Sequence, residues 1–225
     1  MFCIDPPWQF DDKLTMSDVN RGAESQYKSI LTDQDIINLP IKDLVEDEAI
    51  LALWTTGAKM DIALQCVTSW GFEYKQILVW VKTKKDPFED IRKTLISSLK
   101  SLSFQEIKNF IKNFPLELNE SMLSFNMGHY FRYTHEFVII GTRGKVTKHV
   151  KNKSQRGVFF TPPLLPHSTK PEILQDKLEL IFPDLDNRVE FFARRERNNW
   201  ICAGNELPST ANEDILQTIE RLKLC

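Results

Sequence analysis

Glycine is scarce in this chain, with eight residues in 225. None of them forms a G-x-G-x-x-G, which weighs against the phosphate-cradling turn of NAD- or FAD-binding proteins. Cysteine is scarcer: Cys3, Cys66, Cys202 and Cys225 are scattered with no C-x-x-C pair. They read as reduced thiols in an intracellular protein. With only four histidines, a zinc site is not expected and no metal is assigned. No apolar run reaches the roughly 20 residues that cross a bilayer, and no signal peptide is present, so no membrane is implied. The net charge of −2 gives no chain-wide attraction to nucleic acid, and any basic surface must be local. With 42% hydrophobic and 27% charged residues, the composition is that of a globular domain with ample core.

What is present begins at once. Phe2-Cys3-Ile4 reads as the end of a buried strand. Asp5 follows, then Pro6 and Pro7, which end the strand and fix the chain's direction, and Trp8 opens a polar loop. In open α/β sheets ligands bind outside the carboxyl ends of strands, which places Asp5 to Trp8 at the rim of a crevice. The chemistry suits an exocyclic amine on a flat ring. Such an amine is a poor nucleophile because its lone pair is delocalised into the ring. The Asp5 carboxylate and the Pro6 carbonyl can accept its two N–H bonds and draw the nitrogen towards tetrahedral geometry, while Pro7 holds that carbonyl rigidly. Trp8 offers a face for the base, a contact of roughly 1–3 kcal/mol. The alternative is a proline turn beside a partly buried Trp.

Residues 9–30 are polar and aperiodic, a long loop of the kind that serves function. Thr32 and Asp35 suggest a capped helix over about 33–39. Ala49 to Trp54 reads as a buried strand, about 58–69 as a helix with Met60, Ala63, Leu64 and Val67 on one face, and Tyr74 to Val81 as the next strand. Strand-helix-strand argues for parallel pairing. Residues 86–124 read as two helices, about 88–100 and 104–114, the second opened by a Ser103–Glu106 capping box and carrying Phe104, Ile107, Phe110, Ile111 and Phe114 on one face. An apolar face of this kind needs cover, from the domain itself or from a partner subunit. Strands follow at Phe137 to Gly141, Gly157 to Phe160, Arg188 to Ala193 and Ile201 to Ala203. Helices are expected at about 171–181 and 209–224, the last with Ile215, Leu216, Ile219 and Leu222 inward. Between Glu136 and Glu172 there is no acid, but there are Arg143, Lys145, Lys148, Lys151, Lys153, Arg156 and Lys170. These make a local basic surface suited to nucleic-acid phosphates, unless they form only a solvated loop. Lys170, just ahead of a helix, can grip a carboxylate together with free N–H groups.

Asp5-Pro6-Pro7-Trp8, the WVKT stretch at Lys82, Gly128/Tyr130/Arg132/His135/Glu136, the Lys170-Pro171-Glu172 segment and Gly204-Asn205-Glu206 together resemble the DPPW-type N6-adenine methyltransferases. The resemblance spans nearly the whole chain except residues 86–124. Within the family, the chain looks most like the catalytic subunits of ciliate DNA adenine methyltransferase complexes. It implies an enzyme with S-adenosylmethionine as cofactor and adenine as target, in DNA or alternatively in RNA. It also implies a three-layer, Rossmann-like α/β methyltransferase fold of about seven mostly parallel strands, with the catalytic motif first and the cofactor loop last. Asp5, Pro6, Pro7 and Trp8 would be catalytic. Asp5, Lys170, Arg194, Asn199, Asn205 and Glu206 would hold the cofactor. Tyr27, Trp54 and Lys82 would meet substrate beside Lys148, Lys151 and Lys153, although Lys82 also fits a solvated strand end and Trp80 a core aromatic. Arg132, His135 and Glu136 would cross-link loop and strand around the pocket. The loop after Arg194 is shorter than in relatives and lacks their histidine, and Glu206 stands where they often carry Gln. The resemblance further implies a nuclear heterodimer with an inactive paralogue, in which the intact motif marks this chain as the active partner. A non-catalytic nucleic-acid scaffold is the remaining alternative. The abrupt start inside a strand suggests a single methyltransferase domain, 1–225, cut from a longer chain.

Overall fold

The computed structural model describes residues 1–10, 31–100, 102–113, 119–128, 130–164, 169–210 and 213–224. Its strands are β1 (Phe2–Ile4), β2 (Ala49–Thr55), β3 (Glu73–Lys82), β4 (His135–Arg143), β5 (Val158–Thr161), β6 (Val189–Phe191) and β7 (Ile201–Ala203). They form a seven-stranded sheet in the order β5-β3-β4-β2-β1-β6-β7. β1 is parallel to both β2 and β6, β6 is parallel to β7, and β4 is antiparallel to β2. The expected pairing of β2 with β3 is not found, because β4 lies between them. The helices are α1 (Asp33–Ile37), α2 (Met60–Ser69), α3 (Glu89–Leu99), α4 (Phe104–Asn113), α5 (Ile173–Ile181) and α6 (Ile215–Lys223). Among the described residues no helix is long and apolar enough to cross a membrane.

The chain divides into two compact units. The first comprises Met1–Trp80, Glu136–Val158 and Glu172–Cys225. Strand alternation assigns its layers. Phe2, Ile4, Leu51, Leu53, Val189 and Phe191 share one core with Ile36, Ala63, Cys66, Val67 and Ile219, so α1, α2 and α6 cover that face. Glu190, between Val189 and Phe191, points the other way and is bonded by Gln175 of α5. Helices therefore cover both faces, which makes three layers.

Local chemistry explains the elements. Thr32 and Asp35 close a capping box on α1, as expected. In α2 the inward face is Ala63, Cys66 and Val67 rather than Leu64, which is exposed. α6 begins later than the Ser209 or Thr210 that the sequence suggests. Asp214 and Gln217 cap it, because the Thr210 hydroxyl is engaged with the backbone N–H and C=O of Gly204. Its buried residues include Thr218 and Ile219, and Leu216 faces out.

The second unit comprises Val81–His135 and Phe159–Pro171. Its backbone is tied by Lys82 N–H to Thr134 C=O at 2.8 Å and by Ser124 N–H to Lys82 C=O at 2.9 Å. α3 and α4 lie within a residue of their expected bounds, and Ser103 caps α4 through Glu106. Neither helix has a buried residue. Phe104 is 84% exposed and Ile111 60%, whereas Ile107 and Phe110 of the same helix are half-buried.

Candidate active site

The catalytic-looking turn is built by the sheet. Asp5 N–H donates to Phe191 C=O at 3.4 Å, continuing the β1–β6 ladder one residue beyond Ile4. The two prolines then end the pairing. Trp8 N–H donates to Pro6 C=O at 2.8 Å. A carbonyl has two lone pairs, so Pro6 keeps one for an amine. Trp8 is 5% exposed, and its Nε1–H donates to Trp54 C=O at 3.1 Å. The indole is thus a core anchor that fastens the turn to β2. This departs from the expectation of a base-stacking face, since packing in the core occupies most of its surface. Asp5 itself is partly buried at the rim.

The same rim collects other residues of the first unit. The register of Ile4 with Phe191, and of Phe191 with Ala203, brings the carboxyl ends of β1, β6 and β7 side by side. Just beyond β6, Phe192 adopts φ 60, a left-handed conformation rare for a bulky residue that reverses the chain ahead of Arg194. The Arg194 guanidinium then pairs with the Glu206 carboxylate just beyond β7 at 2.7 Å. Gly204 makes this possible: a Cβ there would stand 2.1 Å from Ala193 O, so only glycine fits beside the β6 exit. Asn205 lies between Gly204 and Glu206 on the same turn. At the end of β2, the Thr56 hydroxyl is buried without a hydrogen-bond partner.

Two acids mark the face beneath the rim. Cys3 and Asp5 share the α5 side of β1, and the register sets Cys3 beside Glu190. Burial pushes the Glu190 carboxyl up to about 7, against a hydrogen bond from Gln175, with nearby Asp5 adding to the rise. Burial also raises the Cys3 thiol well above its ordinary value. Sequence reasoning missed Glu190 and Thr56. The signal for Glu190 was a lone acid between apolar neighbours in a strand; Thr56 gave none.

Other expected site residues lie elsewhere. Trp54 is buried and meets the ring of Trp80 edge-on at 5.8 Å, so it supports the core rather than presenting a substrate face, because β2 is covered on both sides. Lys82 is 5% exposed, at odds with both a surface phosphate contact and a solvated strand end. Asn199, at φ 63, precedes β7 and so stands at its opposite end from Asn205. With Asn198, Glu172, Glu179, Glu196 and Arg197 it lines an open cavity of about 410 Å³. Lys170 falls in the second unit, three residues before α5, whose first turn has no side-chain cap. Tyr27 lies outside the described residues. Arg132 reaches the Met127 sulfur at 3.0 Å, and Thr134 Oγ1 meets the His135 ring at 3.5 Å.

The basic stretch is placed unexpectedly. Arg143 at the end of β4 pairs with Ala49 at the start of β2, whereas Phe137 pairs with Thr55 at the rim. Lys148 and His149 bind Glu48 at 2.7 and 3.0 Å, and Lys151 binds Asp184 at 2.8 Å. These cations are partly neutralised and stand about 20 Å from the rim, the length of β2. Sequence separation hid the acids: Glu48 lies about a hundred positions away.

A seven-stranded sheet between two helical layers, with a polar rim beyond β1, β6 and β7, is the architecture of a Rossmann-like S-adenosylmethionine-dependent methyltransferase. The MT-A70 family model matches residues 1–106 and 106–206. The chain therefore belongs to the MT-A70 family of adenine-N6 methyltransferases, which take their methyl group from S-adenosylmethionine. It is 26% identical, over 93% of its length and 78% of the relative's, to the Type II methyltransferase M.MunI of Mycoplasma sp. It is 22% identical to the N(6)-adenosine-methyltransferase catalytic subunit METTL3 of Homo sapiens, over 90% of this chain and 27% of that one. It is 23% identical to the N(6)-adenosine-methyltransferase MT-A70-like protein of Drosophila melanogaster, over 90% and 26%. The chain thus spans about a quarter of the adenosine-directed relatives.

S-adenosylmethionine presents a sulfonium and an ammonium, a carboxylate, two ribose hydroxyls and an adenine. The rim offers the Asp5 carboxylate to the cations, the Arg194–Glu206 pair and the Asn205 amide to hydroxyls and ring nitrogens, and the unpartnered Thr56 hydroxyl. The donor set fits the cofactor.

Proposed function

We propose that this chain is the catalytic component of a DNA adenine-N6 methyltransferase. The observation that carries the reading is the Asp5-Pro6-Pro7-Trp8 turn, locked by the Trp8–Trp54 bond at the strand ends that also carry Arg194, Asn205 and Glu206. Asp5 accepts one hydrogen of the adenine amine and the free lone pair of Pro6 C=O accepts the other, which localises the nitrogen lone pair for attack. The bound cofactor supplies an electrophilic methyl group. Asp5 or water takes the proton released after transfer. Arg194, Glu206 and Asn205 orient the cofactor, and the resemblance gives Lys170 its carboxylate. The target base reaches such a rim only outside its stack.

DNA is favoured by the resemblance to the ciliate DNA-methylating branch and by the relative of which the chain spans 78%, named a Type II methyltransferase. The relatives named N(6)-adenosine-methyltransferases support RNA as the second reading. The exposed Phe104 and Ile111 of α4 support a second subunit, for which an inactive paralogue is the proposed candidate. The nuclear location rests on the resemblance alone. The deciding experiment is methyl transfer from labelled S-adenosylmethionine to matched adenine-containing DNA and RNA oligonucleotides, with wild type and Asp5→Ala. Label on DNA that disappears in the variant is the expected result. Label only on RNA moves the assignment, and label from the variant at near wild-type rate removes Asp5 from its role.

A further inference from the structure

The second unit carries a feature that the methyl-transfer chemistry does not use. Residues 126 and 133 form an antiparallel bridge, with Asn126 N–H to Tyr133 C=O at 2.8 Å and Tyr133 N–H to Asn126 C=O at 3.1 Å. Between them the chain turns so tightly that a Cβ on Gly128 would lie 2.1 Å from Phe131 O. Beyond this close approach two adjacent aromatic rings stand outward. Tyr130 is 95% exposed and Phe131 87%, although such large apolar surfaces are ordinarily withdrawn from water. Arg132 follows at once.

The hairpin's surroundings indicate what covers these rings. Residues 121–135 contain four Phe or Tyr residues and Arg132, and no Asp or Glu. α3 and α4 differ, because Glu89, Asp90 and Glu106 mix with their lysines. An acid-free hairpin tip of aromatics with a cation suits a polyanion whose bases offer flat faces.

We propose that the Tyr130–Phe131 tip stacks on nucleobases of the substrate strand. This rests on the nucleic-acid reading given above. Side chains that stack on bases must be reachable in the free protein, and both rings are.

The test uses the full chain and an adenine-containing single-stranded DNA oligonucleotide with 2-aminopurine next to the adenine. Each base–aromatic stack contributes roughly fivefold to a hundredfold in affinity. Tyr130→Ala with Phe131→Ala should therefore raise the oligonucleotide dissociation constant at least about twentyfold. The salt slope should stay unchanged, since neither ring carries a charge that could neutralise a phosphate. Cofactor affinity should hold within twofold, the 2-aminopurine fluorescence response should disappear, and Tyr130→Trp with Phe131→Trp should restore binding. An alanine variant that binds the oligonucleotide like wild type overturns the proposal, as does one that keeps oligonucleotide binding while losing a protein partner. If wild type methylates DNA and the alanine variant does so equally, only the stacking role fails. If wild type neither binds nor methylates any nucleic acid, the functional reading fails with it.

Discussion

The Trp8 indole N–H donates to the Trp54 backbone carbonyl at 3.1 Å, and that bond ties the last residue of the Asp5–Trp8 turn to the strand beside it. Trp8→Phe keeps most of the buried ring and removes the donor. The missing bond costs about 1 kcal/mol of stability, readable by urea denaturation. The larger effect should be on kcat, because Asp5 and the Pro6 carbonyl take their aim from this turn. A variant destabilised by that amount but unchanged in kcat would show that the prolines alone set the geometry.

Arg194 is 10% exposed at its side chain and pairs with Glu206 at 2.7 Å. Glu206→Ala would leave the guanidinium largely buried and without this carboxylate, so S-adenosylmethionine should bind about tenfold more weakly, a change of about 1.4 kcal/mol. Glu206→Gln, the residue often found there in relatives, retains an acceptor oxygen and should bind the cofactor within a few-fold of wild type. Isothermal titration separates the two. Equal affinities for all three proteins would mean that the pair only closes the end of β7.

Glu190 gives a pH dependence whose direction follows from its burial. Its carboxyl is pushed from the ordinary 4.5 up to about 7 in the folded protein. Below pH 4.5 the group is neutral in both states and contributes nothing. Between there and 7 the unfolded chain releases its proton first, so folding stability falls as pH rises, by about 3 kcal/mol in all. Above 7 the penalty is constant. Cys3 and Asp5 on β1, Cys202 on β7, Gln175 on α5, and Arg195 and Arg197 on the following loop surround the group. Glu190→Gln should remove this fall, which makes the variant the more stable protein at pH 8 but not at pH 4. Urea denaturation at those pH values checks it, and parallel pH curves for the two proteins would rule the assignment out.

Much of the fold could be read from the sequence because its signals are local. Proline pairs, capping boxes at Thr32 and Ser103, and continuous apolar runs each act over a few residues. The α/β pattern and the rim at the end of β1 followed from them, and the resemblance supplied the three-layer architecture. The misreadings are of residues whose role depends on distant partners. Trp8 looked like a face for the base and Lys82 like a phosphate contact or a solvated strand end, since nothing nearby in sequence shows that the fold will bury them. Thr210 looked like a cap until Gly204 claimed its hydroxyl. Strand order was hidden for the same reason: β4 enters between β2 and β3 from more than fifty residues away.

The basic stretch is the sharpest instance, and it can be tested. Lys148 and Lys151 are more than half exposed and pair with Glu48 and Asp184. Such surface pairs contribute between 0 and about 1 kcal/mol, so a phosphate can displace the acids at little cost. Their distance from the rim sets a length requirement. An oligonucleotide too short to run the roughly 20 Å from Asp5 to the start of β2 should be bound identically by wild type and by the Lys148→Ala/Lys151→Ala/Lys153→Ala variant. A duplex that spans both ends should bind the variant more weakly, with the slope of log affinity against log salt smaller by about 0.9 for each phosphate that a lysine no longer neutralises. A long duplex bound with an unchanged slope would leave these lysines as a solvated loop. A short oligonucleotide that already feels the substitution would instead mean that nucleic acid enters along this end of the sheet.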